Sequence, residues 1–441
     1  MKRMLLLVLI IVLSFSSLAA CSNSASETSA KKESTNAASP ETSTKKPVEI
    51  QFLHIHGGSQ GEAVKRLVEE FNKKQDAVHV TPVYVEGSYE GILEKLQALA
   101  ATKQLPEVTQ AGFSYTNYMV ANMPLVPVQK FIDEEKMDLS DFFPKMLELG
   151  KGMDGKIYGL PYAVSTPVVY YNKQMFKEAG LDPENPPKTF DELREAAKKL
   201  TKGDRMGVYF NYGITGNWMF QAMTETLGGH MVANDQKSVA FDQEPGIKAL
   251  QYWVDLVNTD KTMPLIDDKQ ATQSFTSGKL GIYVNTTASL RGLQKDSKFD
   301  IGTAAFPVDG VHPRMVPAGG NNVFVIKSTP EKEKAAWEFI KFATSPEGTA
   351  ITAEGMGYMA SRKSAVERDD LLGKYLKQEN PAAYTTYRQV DDMVQWNNFP
   401  GKGGTRIFKI VQDNIQAALT KQKTAEQAVK DAAAEANQLI K

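Results

Sequence analysis

The segment VEIQFLHIHGG at residues 48–58 opens the folded part of the chain and indicates its architecture. Residues 48–53 form a strand pattern, and residues 61–74 place their apolar side chains on one face of a predicted helix. A second strand pattern, VHVTPVY at residues 78–84, leads into a helix that ends near Ala101. Because parallel strands need helices to connect and cover them, this β-α-β-α order predicts an α/β fold with a mainly parallel sheet.

Length, composition and charge limit the kinds of protein that this chain can be. The chain has 441 residues, about three times the roughly 150 residues of a typical domain, so more than one lobe is expected. Hydrophobic residues make up 42% and charged residues 23%, which is the composition of a globular protein. A formal net charge of −1 gives no large cationic surface, and no nucleic-acid partner is expected.

The first 20 residues are predicted to be a signal peptide. Lys2 and Arg3 precede an apolar run over residues 4–13 that is too short to span a membrane. The only cysteine, Cys21, ends the sequence LAAC, which resembles the lipobox of bacterial lipoproteins. That resemblance implies that the Cys21 thiol carries diacylglycerol; the alternative is an ordinary signal followed by an unused thiol. One cysteine also excludes an internal disulfide, so packing must stabilise the fold.

Residues 21–47 are expected to connect this anchor to the folded body. The sequence from 22 to 47 contains no aromatic or branched aliphatic side chain and is rich in serine and threonine. Such a segment cannot bury a core, which predicts a flexible tether.

Several longer motifs carry a resemblance to a known family. They are STPVVYYNK at 165–173, GLDPENPPKTFDEL at 180–193, GGNN at 319–322, FIKFA at 339–343, GYMASRKSA at 357–365 and GGTR at 403–406. In these motifs the chain, from residue 48 to residue 441, resembles the extracellular solute-binding proteins of ABC importers. Within that family the motifs are most similar to those of the glycerol-3-phosphate binders.

The resemblance implies a two-lobed α/β protein in which each lobe is a mainly parallel sheet flanked by helices, and a hinge lets the lobes close on a solute. By analogy, lobe 1 comprises residues 48–162 and 279–327, and lobe 2 comprises residues 163–278 and 328–441. It further implies a monomer without a cofactor that is not an enzyme. This protein would be lipid-anchored on the extracellular face of the cytoplasmic membrane and deliver its solute to the membrane permease subunits of an ABC importer.

The same resemblance implies a set of ligand-binding residues in the cleft between the lobes. They are Tyr89, Phe113, Ser165, Trp218, Ser289, Gly319, Gly320, Tyr358 and Arg406. Thr287 competes with Ser289 for one position. Trp218 would supply an apolar platform for the C–H face of a sugar or glycerol, with Trp396 as a weaker candidate. Trp253 and Trp337 lie on apolar helix faces and are expected in the core.

Arg406 and Phe113 indicate what charge and size the solute has. The glycine-rich turn before Arg406 enters a helix, so backbone N–H groups and a guanidinium can converge on an anion; a solvated arginine on a surface loop is the alternative. Phe113 takes the place where the glycerol-3-phosphate binders have a glutamate. An aromatic wall there favours a larger solute with an apolar or cationic face.

Metal and enzyme chemistry have weaker support. His54 and His56 lie on one side of an extended segment, but no third ligand stands at suitable spacing, so no metal site is expected. The sequence contains no motif for a catalytic nucleophile. The enzyme alternative is a secreted glycosidase, in which two carboxylates that are distant in sequence could meet. The first expectation is therefore a receptor for a glycerol phosphate or glycerophosphodiester, and the alternative is a receptor for a neutral di- or oligosaccharide.

Overall fold

The computed structural model of the chain describes residues 46–400 and 403–440. The predicted signal peptide, Cys21 and the tether as far as Lys45 lie outside these residues, as do Gly401 and Lys402 of the glycine-rich turn.

The two strands and two helices predicted between residues 48 and 101 are present within a few residues of their expected bounds. The strands are β1 Val48–His54, β2 Val78–Tyr84, β3 Val108–Gly112, β4 Leu125–Val126, β5 Gly159–Ser165, β6 Pro167–Asn172, β7 Met206–Phe210, β8 Leu280–Thr286, β9 Ile301–Ala305, β10 Val316–Pro317, β11 Gly319–Ile326 and β12 Met393–Val394. The first helices are α1 Gly58–Lys74, α2 Tyr89–Ala101, α3 Thr116–Asn122, α4 Gln129–Glu135, α5 Pro144–Glu148, α6 Lys173–Glu178, α7 Phe190–Leu200, α8 Trp218–Thr226 and α9 Glu244–Val254. The later helices are α10 Asp268–Thr276, α11 Leu290–Asp296, α12 Pro330–Ala343, α13 Pro346–Met356, α14 Lys363–Glu367, α15 Pro381–Tyr384, α16 Gly404–Leu419 and α17 Ala425–Ile440.

Local sequence signals explain where several helices begin. The Thr189 side chain accepts from the backbone of Glu192, whose carboxylate in turn accepts from the Thr189 N–H, so α7 starts with a capping box. Thr329 caps α12 with Pro330 in its first turn. The predicted apolar face of α1, from Ala63 to Phe71, is buried against the sheet, which confirms that periodicity.

The first sheet is six-stranded, with the order β2-β1-β3-β11-β4 and with β5 paired to β11. β1 runs parallel to β2 and β3, whereas β11 runs antiparallel to β3, β4 and β5. The second sheet has the order β7-β8-β6-β9, and in it only β7 and β8 are parallel. The predicted α/β class with two lobes is confirmed, but both sheets are mixed rather than mainly parallel.

The strand pairing differs from the expected division of the chain between the lobes. β8 and β9 pair with β6 in the second sheet, although residues 279–327 were expected in lobe 1. α12 and α13, expected in lobe 2, pack on β1, β11 and α1 of the first sheet. The expected division relied on analogy for the crossing points, and the apolar pattern of a strand does not reveal which sheet it joins.

The start of β11 is tightly packed against β5. Pairing of the two strands shifts register between Asn321 and Asn322, which leaves Tyr162 of β5 as the extra residue of a β-bulge. Gly320 beside the bulge has a φ of +110°, and a Cβ there would overlap the carbonyl oxygen of Ala163. Only glycine fits this position without moving the backbone.

Substitution of Gly320 by alanine tests this packing. We expect Gly320→Ala to lower the free energy of unfolding by about 3 kcal/mol, because it adds both backbone strain and an overlap with a neighbouring strand. Gly310 is a matched control, since its φ is +81° but a Cβ at that position would have no other atom within 4 Å. Gly310→Ala should cost only about 1 kcal/mol in urea unfolding. Equal losses for the two variants would show that β5 moves aside readily.

Candidate functional site

One edge of the first sheet gathers most of the predicted site residues of lobe 1. β1, β3 and β5 end at this edge, and β11, which runs antiparallel to β3 and β5, begins there. Phe113 follows β3, Ser165 ends β5, and Gly319 and Gly320 start β11. Tyr89 begins α2 just beyond the end of β2. Solute sites in α/β proteins form where strands end in this way, because several loops converge there.

Trp218 of the second lobe lies directly against this edge. A Cβ at Gly319 would lie 2.7 Å from the Ser165 hydroxyl oxygen and 2.9 Å from the Trp218 ring, so the absence of a side chain at Gly319 lets all three meet. The Trp218 side chain is 1% exposed, and its indole N–H has no hydrogen-bond partner among the described residues. A buried N–H without a partner is a donor available to a bound solute.

Tyr89 and Tyr358 form a pair of phenols at the same place. The Tyr89 hydroxyl accepts a hydrogen bond from Asn321 Nδ2 at 3.0 Å. The Tyr89 ring lies on Gly112, where a Cβ would be 2.8 Å from it. Burial raises the pKa of both tyrosines, and each lies close enough to influence the other. Both are therefore neutral phenols at physiological pH.

The second lobe brings Thr287 and Ser289 to the facing edge, at the end of β8. The Thr287 hydroxyl accepts from the backbone N–H of Thr166 at 3.3 Å and so joins the two lobes at the point where β5 passes into β6. The half-buried Ser289 precedes α11 without capping it. Unlike the Thr287 hydroxyl, the Ser289 hydroxyl takes no part in this bond between the lobes.

Arg406 lies in the first turn of α16 and is exposed. This helix packs against the turn before Trp218, where Asn217 Nδ2 donates to the carbonyl oxygen of Phe408 at 3.1 Å. Trp396 lies 6.3 Å from Trp218 between ring centroids, in a tilted arrangement. The structure thus brings the beginning of α16 and both platform candidates to one region of lobe 2. Trp253 and Trp337 are fully buried, which confirms that they belong to the core.

Phe113 reaches the site through its backbone. Its side chain is 1% exposed and belongs to the core, whereas its carbonyl oxygen accepts from Gln395 Nε2 at 3.1 Å. Gln395 is held in turn by Gln221 of α8, which donates to its carbonyl oxygen at 2.9 Å. Burial raises the pKa of Glu225, one turn further along α8, to about 7. This chain of contacts links the two lobes, and no sequence motif indicated it.

Other polar groups near the site also lack signals in the sequence. Gln110 and Ser114 are at most 1% exposed, and the side-chain polar atoms of both have no hydrogen-bond partner in the described part of the chain. Gln110 follows Thr109 in a strand of mixed polar and apolar residues and Ser114 lies in a turn, so neither residue differs from its surroundings by composition alone. They became candidates because tertiary packing buried them without partners.

His54 and His56 pack against each other. Their rings are stacked with centroids 6.5 Å apart, and His56 also contacts the Tyr358 ring at 5.9 Å. The pKa of each is lowered to about 4, by burial in both cases and for His54 also by its proximity to His56. Across residues 46–400 and 403–440, no three side chains of His, Cys, Asp or Glu are grouped to hold a metal ion.

Comparison with known proteins identifies the family. A family described as "bacterial extracellular solute-binding protein" matches residues 66–385 of the chain. The chain belongs to this family. Its members are binding proteins rather than enzymes, and they deliver small solutes to ABC permeases. The predicted resemblance is therefore confirmed, and the chain is a solute-binding receptor of an ABC importer.

Individual relatives differ in the solute that they bind. The sn-glycerol-3-phosphate-binding periplasmic protein UgpB of Escherichia coli K12 is 28% identical over 416 residues, which cover 89% of this chain and 92% of that protein. UgpB from Mycobacterium tuberculosis, solved in complex with glycerophosphocholine, has a TM-score of 0.79 and 23% identity, covering 90% of this chain and 98% of its own. The cyclic α-maltosyl-1,6-maltose binding protein of Arthrobacter globiformis has a TM-score of 0.78 and 24% identity. The match covers 89% of this chain and 99% of that protein. At these identities the two structures establish the two-lobed fold.

No helix in the described ranges has the length and apolar character needed to cross a membrane.

The buried histidine pair predicts acid sensitivity. Because folding lowers the pKa of His54 and His56 from 6.5 to about 4, the unfolded chain binds more protons between these values. Stability should therefore fall as the pH drops from 7 to 5, by about 2 kcal/mol or more for the pair. Urea unfolding at several pH values measures this loss. A His54→Asn, His56→Gln double variant should lose less stability than the wild type over the same pH range. His79→Asn, an exposed change on β2, serves as the control; a double variant with the wild-type pH profile would contradict the prediction.

Proposed function

We propose that this receptor is anchored by a lipid at Cys21 to the extracellular face of the cytoplasmic membrane and captures a glycerol phosphate or glycerophosphodiester between its lobes. The observation that carries the proposal is the similarity, along 89% of the chain, to a glycerol-3-phosphate-binding protein. The nine ligand-binding residues named from the sequence remain part of the proposal.

The chemistry of those nine residues fits an anion that also carries hydroxyl groups. Trp218 offers an unpaired indole N–H, and Tyr89 and Tyr358 offer neutral phenols. Arg406 adds the positive charge at the start of α16, where helix N–H groups also favour an anion. None of the nine is a carboxylate, so none repels a phosphate.

Phe113 favours a phosphodiester over glycerol-3-phosphate itself. A glutamate at this position would accept hydrogen bonds from glycerol hydroxyls, and phenylalanine cannot. Buried hydroxyls without an acceptor cost about 1 to 3 kcal/mol. A solute with a further group, such as a choline head group, gains contacts with aromatic rings that glycerol-3-phosphate lacks.

A neutral di- or oligosaccharide is the second candidate. It is favoured by the uncharged character of the lobe 1 residues and by the similarity of the fold to a receptor for a cyclic maltosyl-maltose. Trp218 and Trp396 together would provide the flat apolar surfaces on which sugar rings pack. The two candidates differ in their need for Arg406, because only the phosphate carries a charge.

Calorimetric titration of the purified protein with glycerol-3-phosphate, glycerophosphocholine and maltose tests the proposed solute. We expect glycerophosphocholine to bind at least about tenfold more tightly than glycerol-3-phosphate, a difference of roughly 1.4 kcal/mol. Arg406→Ala should weaken binding of the phosphate-bearing solutes by about 1.5 to 3 kcal/mol, since a charge-assisted hydrogen bond is lost.

Lys409→Ala is the control for that variant, because Lys409 is an exposed cation on the same helix that pairs with Asp413. Its affinities should equal those of the wild type. Tightest binding of maltose, with no effect of Arg406→Ala, would favour the sugar receptor. Tightest binding of glycerol-3-phosphate would show that Phe113 does not shape the site.

The anchor is tested separately. If Cys21 receives diacylglycerol, two acyl chains should hold the mature protein stably in the membrane fraction, since a single chain holds a protein only marginally. Cys21→Ala should leave the protein uncleaved or released. Fractionation of cells followed by mass spectrometry of the mature N-terminus measures both outcomes. Unmodified wild-type protein free in the medium would contradict the lipoprotein prediction.

A further inference from the structure

We propose that Asn321 is a positioning residue that sets the Tyr89 hydroxyl as a hydrogen-bond donor to the solute. The inference rests on the proposed function, in which Tyr89 contacts the solute. Its consequence is selectivity for a solute that presents a hydrogen-bond acceptor at this point, such as a phosphate or ether oxygen.

The position of Asn321 is fixed by three strands. It lies on β11, opposite Gly112 of β3 and opposite Ala163 of β5, and it is fully buried. The Tyr89 ring lies on Gly112, which explains how a residue of β11 reaches a phenol at the start of α2. The β-bulge at Tyr162 of β5 lies opposite Asn321 and Asn322, and bulges are frequent beside binding sites.

The hydrogen bond determines which way the phenol donates. Asn321 Nδ2 is a donor, so the Tyr89 oxygen accepts in the 3.0 Å bond between them. A neutral phenol has one proton of its own, and that proton must then point elsewhere. Tyr358 is a second phenol with which Tyr89 interacts. A solute oxygen that approaches the Tyr89 hydroxyl would therefore meet its proton rather than a free lone pair.

The hydrogen bond between Asn321 and Tyr89 leaves one polar atom of Asn321 unpaired. Asn321 Oδ1 is buried without a hydrogen-bond partner among the described residues. A buried amide that satisfies only one of its polar atoms reduces stability compared with an apolar side chain of similar size. Asn322 Oδ1 is buried without a partner in the same way, so what distinguishes Asn321 is its contact with Tyr89.

Asn322 provides a contrast on the same strand. It is also fully buried, but its Nδ2 donates to the carbonyl oxygen of Leu149 at 2.7 Å and to the Thr116 hydroxyl at 3.3 Å. These partners tie β11 to neighbouring backbone and to α3, and Tyr89 is not among them. Asn322 is accordingly a structural residue and a matched control.

A double-mutant cycle tests the proposal. Affinities for glycerophosphocholine, glycerol-3-phosphate and maltose are measured by calorimetry for the wild type, Asn321→Leu, Tyr89→Phe and the double variant. We expect Asn321→Leu to weaken binding of the tightest solute about tenfold in the wild type and to have no further effect in the Tyr89→Phe background. Asn322→Leu should lower the melting temperature while its affinity stays within about threefold of the wild type.

Melting temperatures of the unliganded variants separate positioning from folding. Asn321→Leu should melt closer to the wild-type temperature than Asn322→Leu does, because it removes one hydrogen bond rather than two. If this variant does not fold, Asn321→Asp, which has the same size and presents an acceptor to Tyr89, should still weaken binding. Unchanged affinity, or equal losses in both backgrounds, would overturn the role of Asn321. A wild type that binds none of the three solutes would instead overturn the proposed function.

Discussion

The close approach of β11 to β5 is the constraint on which the candidate site depends. Gly320 has room for no side chain beside the Ala163 carbonyl, and Gly319 leaves space in which Ser165 and Trp218 meet. β5 leads directly into β6 of the other lobe, so this packing lies where the chain first crosses between the lobes. Backbone geometry at two glycines therefore shapes both the crossing and the candidate site.

The chemistry of the cleft follows from which groups this packing buries. Lobe 1 supplies neutral phenols, amides and hydroxyls, and the histidines beneath them are uncharged at neutral pH because burial lowers their pKa to about 4. Such uncharged groups can form hydrogen bonds with the hydroxyls of a sugar as well as with those of glycerol. In the proposed site, discrimination between these solutes would therefore fall to Arg406 and to the aromatic residues of lobe 2.

Local sequence determined much of the architecture. The apolar face of α1, the capping box of α7 and the proline-started helix α12 were readable because each depends on neighbours within a few residues. The family, and with it the two-lobed fold, followed from motifs such as STPVVYYNK at residues 165–173. These features need no knowledge of which distant segments meet.

Only the tertiary structure decided which sheet each later strand joins and which polar groups end without partners. β8 and β9 carry ordinary strand patterns, and their membership of the second sheet depends on hydrogen bonds to β6, more than a hundred residues away. Asn321 and Asn322 are identical neighbours in sequence, yet one contacts Tyr89 and the other contacts Leu149. Successive residues of a strand face opposite sides of a sheet, and what lies on each side is set by long-range packing, which a single sequence does not record.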